Sequence, residues 1–72
     1  MSIYADLITE ILHRRNAPTI DPRHIEGLMR IQYHTLDHLS RADFSREVDI
    51  GIECIREGGV QEAEDLARSY GL

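Results

Sequence analysis

Residues 21–39, Asp21-Pro22-Arg23-His24-Ile25-Glu26-Gly27-Leu28-Met29-Arg30-Ile31-Gln32-Tyr33-His34-Thr35-Leu36-Asp37-His38-Leu39, decide the fold. Asp21 is a side-chain acceptor directly before a proline, the pairing that starts a helix. Behind it Ile25, Leu28, Met29, Gln32, Leu36 and Leu39 recur at helical spacing, with Tyr33 at the edge of the stripe. The spacing predicts a helix over 22–39. Gly27 weakens it by about 1 kcal/mol relative to alanine, and its lack of a side chain suits close contact with a neighbour.

The same punctuation extends outward. Upstream, Ile3, Tyr4, Leu7, Ile8, Ile11 and Leu12 form one wide apolar face, with Ser2 as cap and Asp6 in the first turn. His13, Arg14 and Arg15 suit the negative end of that helix, Asn16 suits a left-handed cap, and Pro18 stops the chain from continuing. Downstream, Ser40 with Asp43 opens a third segment, in which Phe44, Val48, Gly51, Ile52 and Ile55 face inward until Gly58-Gly59. Val60, Ala63, Leu66, Ala67 and Tyr70 share a face in the last segment, which Gly71 and Leu72 close as a Schellman motif. The expectation is an all-α domain over 1–72, a small bundle of about four short helices near 3–15, 22–39, 41–57 and 60–70. No segment alternates as a strand does.

The 72 residues include one cysteine, Cys54, so no disulfide framework supports the small core. A lone thiol fits a reducing compartment, no apolar run suffices for a membrane span, and the first residues lack the basic start of a secretion signal. A complete, cytoplasmic chain is expected. All 8 basic residues are arginine, which fits a GC-rich bacterial or viral genome. The net charge is −5. It arises entirely in residues 37–72, which carry nine acids against four arginines, while residues 1–36 are balanced. Such a half repels phosphate backbones and attracts basic surfaces.

No constellation of residues points to catalysis. His34 and His38 have the one-turn spacing of a helical metal pair, but Thr35 stands where a zinc protease needs its glutamate, and a third ligand is missing. They read as surface histidines, and neither metal nor cofactor is expected. Cys54, between Glu53 and Glu57, lacks the electropositive setting of a nucleophile and reads as a small buried hydrophobe. Gly58-Gly59 follows a helix rather than a strand and has no lysine, so it is no phosphate loop. Residues 62–72 look like the first helix and turn of a helix-turn-helix, but no recognition helix follows. The cluster of His13, Arg14, Arg15, Arg23 and Arg30 is sparse for a DNA footprint.

Two aliphatic residues fall off their core stripes. Ile31 projects among His24, Thr35 and His38, and Ile50 lies one turn before Cys54. Either a central helix is buried on more than one side, or these two meet another chain. The acids Asp49, Glu53 and Glu57 form a ridge that Glu62 and Asp65 continue. It is either a solvated face or a docking surface for a basic protein. The candidate partner surface is therefore Ile31, Ile50, Asp49, Glu53, Glu57, Glu62 and Asp65, with a homodimer through Ile31 or Ile50 as a further expectation.

The stretches Asp21-Pro22-Arg23-His24 and Leu36-Asp37-His38-Leu39-Ser40, then Phe44, Glu47-Val48 and Leu66-Ala67-Arg68-Ser69-Tyr70-Gly71-Leu72, resemble short uncharacterised helical proteins of GC-rich proteobacteria and their phages or mobile elements. The resemblance covers residues 21–72 and carries over no site residues. It implies an accessory protein that binds and blocks a host protein or defence system. The expected function is thus a small non-enzymatic interaction module, with a dimeric DNA-binding transcriptional regulator as the alternative.

Overall fold

The computed structural model describes residues 3–72, so the Ser2 cap lies outside the described residues. The chain is all-α: α1 Ile3–Arg14, α2 Pro22–Gln32, α3 Arg41–Cys54, a wide π turn Ile55–Gly59, and α4 Val60–Ser69, with no strand among the described residues. The third and fourth expected segments run together through the π turn as one bent body, so the bundle has three helical bodies rather than four. The bend is set by Gly58, whose φ of 101° lies in the left-handed region. Gly59 is fixed differently. A Cβ there would stand 2.7 Å from Cys54 Sγ and 2.8 Å from the Cys54 carbonyl oxygen.

The helix boundaries follow local chemistry. Asp21 accepts from the Arg23 amide at 2.9 Å with Pro22 in the first turn, and Ser40 Oγ accepts from the Asp43 amide at 3.1 Å. Asn16, at φ 57°, ends α1 while the Ala17 amide donates back to Leu12 at 2.9 Å. Gly71, at φ 74°, ends α4 while Leu72 donates to Ala67 at 2.8 Å and Gly71 to Arg68 at 3.1 Å, the two bonds of a Schellman motif.

The second segment stops early. It was expected to reach 39, but α2 ends at Gln32 and Tyr33 is extended, at φ −121° and ψ 119°. Three donors make the early end possible. The Tyr33 amide donates to the Met29 carbonyl at 3.0 Å, Tyr70 Oη donates to the Arg30 carbonyl at 3.2 Å, and Arg30 donates to the His34 carbonyl at 3.2 Å. The first two satisfy carbonyls in the last turn of α2, and the third ties the Arg30 side chain to the segment that follows the helix. Leu36 and Leu39 are apolar because they pack inward from the connecting loop, Leu36 at 2% exposure, so the periodicity past Gln32 reports burial and not helix.

Helix α2 packs against α1, α3 and, most extensively, α4. The core is built from Ile8, Ile11 and Leu12 of α1, Ile25 and Met29 of α2, Leu36, and Phe44, Val48 and Ile52 of α3. Ile3, Val60 and Tyr70 belong to the inward stripes by periodicity but are 69%, 48% and 45% exposed, at the first residue of α1, the first residue of α4 and the cap that follows α4. Two carboxylates are buried, Glu26 at 1% and Glu47 at 7% exposure. Arg30 meets Glu26 with two nitrogens, at 3.0 and 3.2 Å, and lies 5.9 Å from the centre of the Tyr4 ring.

A Cβ on Gly27 would lie 2.8 Å from the Ala67 backbone nitrogen and 3.3 Å from the Ala63 carbonyl oxygen. Helix propensity favours Gly27→Ala by about 1 kcal/mol, but separating two helix backbones costs about 1–3 kcal/mol. The substitution should therefore lower the melting temperature, and a rise would show that α2 and α4 are not in contact there. A second expectation concerns acid. The Arg23 side chain, bonded to Asp21 at 2.8 Å, holds the Asp21 carboxyl below the usual aspartate range. That stabilisation is complete above the unfolded value of about 4 and disappears as pH falls through the folded value. Asp21→Asn keeps the cap but removes the charge, so its stability deficit should be largest at neutral pH and shrink in acid. A pH-independent deficit in chemical denaturation would contradict this.

Candidate functional site

The two displaced isoleucines meet at one place. Ile31 from α2 and Ile50 from α3 line the same groove of about 220 Å³, together with Leu28, Met29, Gln32, Glu47, Gly51 and Cys54. The helices pass closely here because Gly51 has no side chain. A Cβ on it would stand 3.0 Å from Ile25 Cδ1, which occupies the space instead. Ile31 and Ile50 are 57% and 55% exposed, so neither belongs to the core. Two large aliphatic side chains converging on one cleft form a patch, unlike an isolated surface residue.

Glu47 is the one charged residue in the groove wall and is 7% exposed. It has neither hydrogen bond nor ion pair among the described residues. Among the described residues no fully enclosed side-chain nitrogen or oxygen lacks a partner, so the Glu47 oxygens keep some contact with solvent, and Glu47 lines the groove. Nearby cations are engaged elsewhere: Arg46 pairs with Asp43 at 3.0 Å, and Arg30 with the buried Glu26. The sequence reading missed Glu47. Its signal was present, since Glu47 stands three residues after Phe44 and four before Gly51 and is thus on the inward face of α3.

The acidic residues separate into three groups. Glu53 and Glu57 are exposed and line a shallow depression that continues the groove past Ile50 and Cys54 to Gly58 and Gly59. Asp49 is instead bound to Arg15 at 2.8 and 3.4 Å, tying α3 to the end of α1. The same contact raises the Arg15 pKa. Glu62 and Asp65 are exposed on α4 and line neither depression, and Asp65 accepts from Gln61 at 3.1 Å. The ridge read from the sequence is therefore two groove acids, one structural acid and two acids on a separate helix.

Cys54 is half-buried between the two depressions, more open than the buried hydrophobe expected of it. His34 and His38 do not share a helix face, because α2 has ended before them. His38 faces the edge of Tyr33 at 6.1 Å between ring centres, with Nδ1 3.3 Å from Thr35 Oγ1. Among the described residues no three His, Cys, Asp or Glu side chains are grouped to hold a metal, and no helix is long and apolar enough to cross a membrane.

Comparison of the chain with known protein families, curated proteins and solved structures returns no match. The groove itself generates a stability expectation. Burying a polar group without a partner costs about 1–3 kcal/mol, so replacing Glu47 by an apolar residue of similar length should remove a cost. Glu47→Met is expected to raise the melting temperature in thermal unfolding. A marked fall would show that the carboxylate has a stabilising partner.

Proposed function

We propose that the chain is a small non-enzymatic protein-interaction module that docks a basic partner protein through the α2–α3 groove. The carrying observation is the convergence of Ile31 and Ile50, two exposed aliphatic residues from different helices, on one cleft continued by Glu53 and Glu57. An apolar centre with a charged rim is the anatomy of a contact surface, and acids at the rim select a partner of opposite sign. The −5 net charge acts in the same direction at longer range. A DNA-binding regulator fits less well, because the groove offers a phosphate backbone only acids. The finer reading, an inhibitor of a host protein or defence system encoded by a phage or mobile element and acting in the cytoplasm, rests on the resemblance of residues 21–72.

Tagged wild-type chain and the Ile31→Glu and Ile50→Glu variants, used as baits in a host lysate, test this reading. Each aliphatic side chain is worth about 1.5–3 kcal/mol when fully buried, so either variant should weaken capture about tenfold or more. Both sites are exposed, so the fold should be unaffected. A partner retained equally by both variants would reject the groove. Charge reversal at Glu53 and Glu57 should slow association, with a smaller deficit as salt rises, because exposed charges are screened over about 8 Å at physiological ionic strength.

A further inference from the structure

Glu47 narrows what the groove accepts. We propose that the groove takes one lysine or arginine side chain from an amphipathic segment of the partner protein, with its aliphatic stem between Ile31 and Ile50 and its charged head at the Glu47 carboxylate. This rests on the docking reading above and adds the chemistry of the anchor.

The argument is one of exclusion by physical cost. A wholly apolar occupant would fit against Leu28, Ile31 and Ile50 but would seal the carboxylate of Glu47, a residue only 7% exposed that has no partner among the described residues and depends on its remaining opening to solvent. Closing that remaining opening without supplying a donor is strongly unfavourable. An acidic occupant would add a like charge. A neutral donor satisfies hydrogen bonding but leaves the charge uncompensated. Lysine and arginine supply both an apolar stem for the walls and a cationic donor for the end, since these side chains lay their methylenes along apolar surface. Glu53 and Glu57 outside the groove favour further basic residues in the same segment. A second copy of this chain is a poor occupant, because a two-fold contact of groove on groove would bring two acidic linings together with no basic residue in either to meet Glu47, Glu53 or Glu57.

A random peptide display library panned against the folded wild-type protein is the probe. The expected ligands carry a lysine or arginine at a fixed position beside aliphatic or aromatic residues, and Ile31→Glu and Ile50→Glu abolish their binding. For the best ligand, affinity is then measured as a cycle: Glu47→Gln in the protein, norleucine for the basic residue in the peptide. Glu47→Gln should weaken the basic peptide about thirtyfold or more, as truncating one partner of a buried charge pair does. It should leave the norleucine peptide nearly unaffected. Glu53→Gln should produce a smaller, salt-sensitive loss. Glu47→Met, with thermal melts of each variant, separates loss of binding from loss of fold.

Groove-bound ligands without a basic residue, or with additive losses in the cycle, would overturn the Glu47 anchor while leaving the docking reading intact. Ligands indifferent to Ile31→Glu and Ile50→Glu, or no ligands at all, would overturn both. Self-association of the free protein that Ile50→Glu abolishes would assign the groove to a second copy and also overturn the anchor.

Discussion

The structure depends on the approach of α2 to α4 at Gly27. With 2.8 Å between a notional Cβ and the Ala67 backbone nitrogen, there is no room for any side chain. This contact, with Ala63 and Ala67 opposite, lets the bent α3–α4 body fold back so that α2 is packed by three helices. In a chain of 72 residues a single central helix of this kind gives the small core most of its contacts. Ile25 and Met29 face that core, the buried Glu26 pairs with the half-buried Arg30 beside Tyr4, and Gly27 meets α4. The remaining strip of α2, with Leu28, Ile31 and Gln32, borders the groove.

The bend makes the other border. Gly58 turns the chain through a left-handed conformation, and Gly59 lies against Cys54 where a side chain would collide. Glu53, Glu57 and Cys54 therefore gather at one end of the groove, close to the reversal of the chain. Leu36 drops inward from the loop after α2 and joins the core. The groove is thus the space that α2 and α3 leave between them after Gly51 and Ile25 have set their spacing.

Much of this was legible in the sequence where one local interaction decides the outcome. Asp21-Pro22, Ser40 with Asp43, Asn16 and Gly71 each mark a boundary through a bond or a dihedral angle that neighbouring residues determine. The end of α2 was illegible because the donor to its Arg30 carbonyl comes from Tyr70, 40 residues away, and the segment after it is held by a bond from the Arg30 side chain to the His34 carbonyl. Ile31 and Ile50 were legible as displaced from their stripes, but their convergence depends on the crossing of two helices. The acids were hardest to read. Asp49 looked like a surface ligand and is the partner of Arg15, while Glu47 was not singled out and is buried with no partner among the described residues. Composition registers the charge of each but not its surroundings.

A largely buried glutamate in the wall of an apolar cleft is a cost for the free protein, and such costs persist where function requires them. The surface that accounts for it is narrow: two isoleucines, one enclosed glutamate and two rim glutamates. Isotope-labelled methyl groups report directly on whether this surface is where a partner binds. Titration of the methyl-labelled protein with a basic amphipathic peptide should shift Leu28, Ile31 and Ile50, with Ile3, exposed on α1 and outside the groove lining, unmoved as a control. Shifts confined to Ile3, with Ile31 and Ile50 unchanged at saturation, would contradict the account.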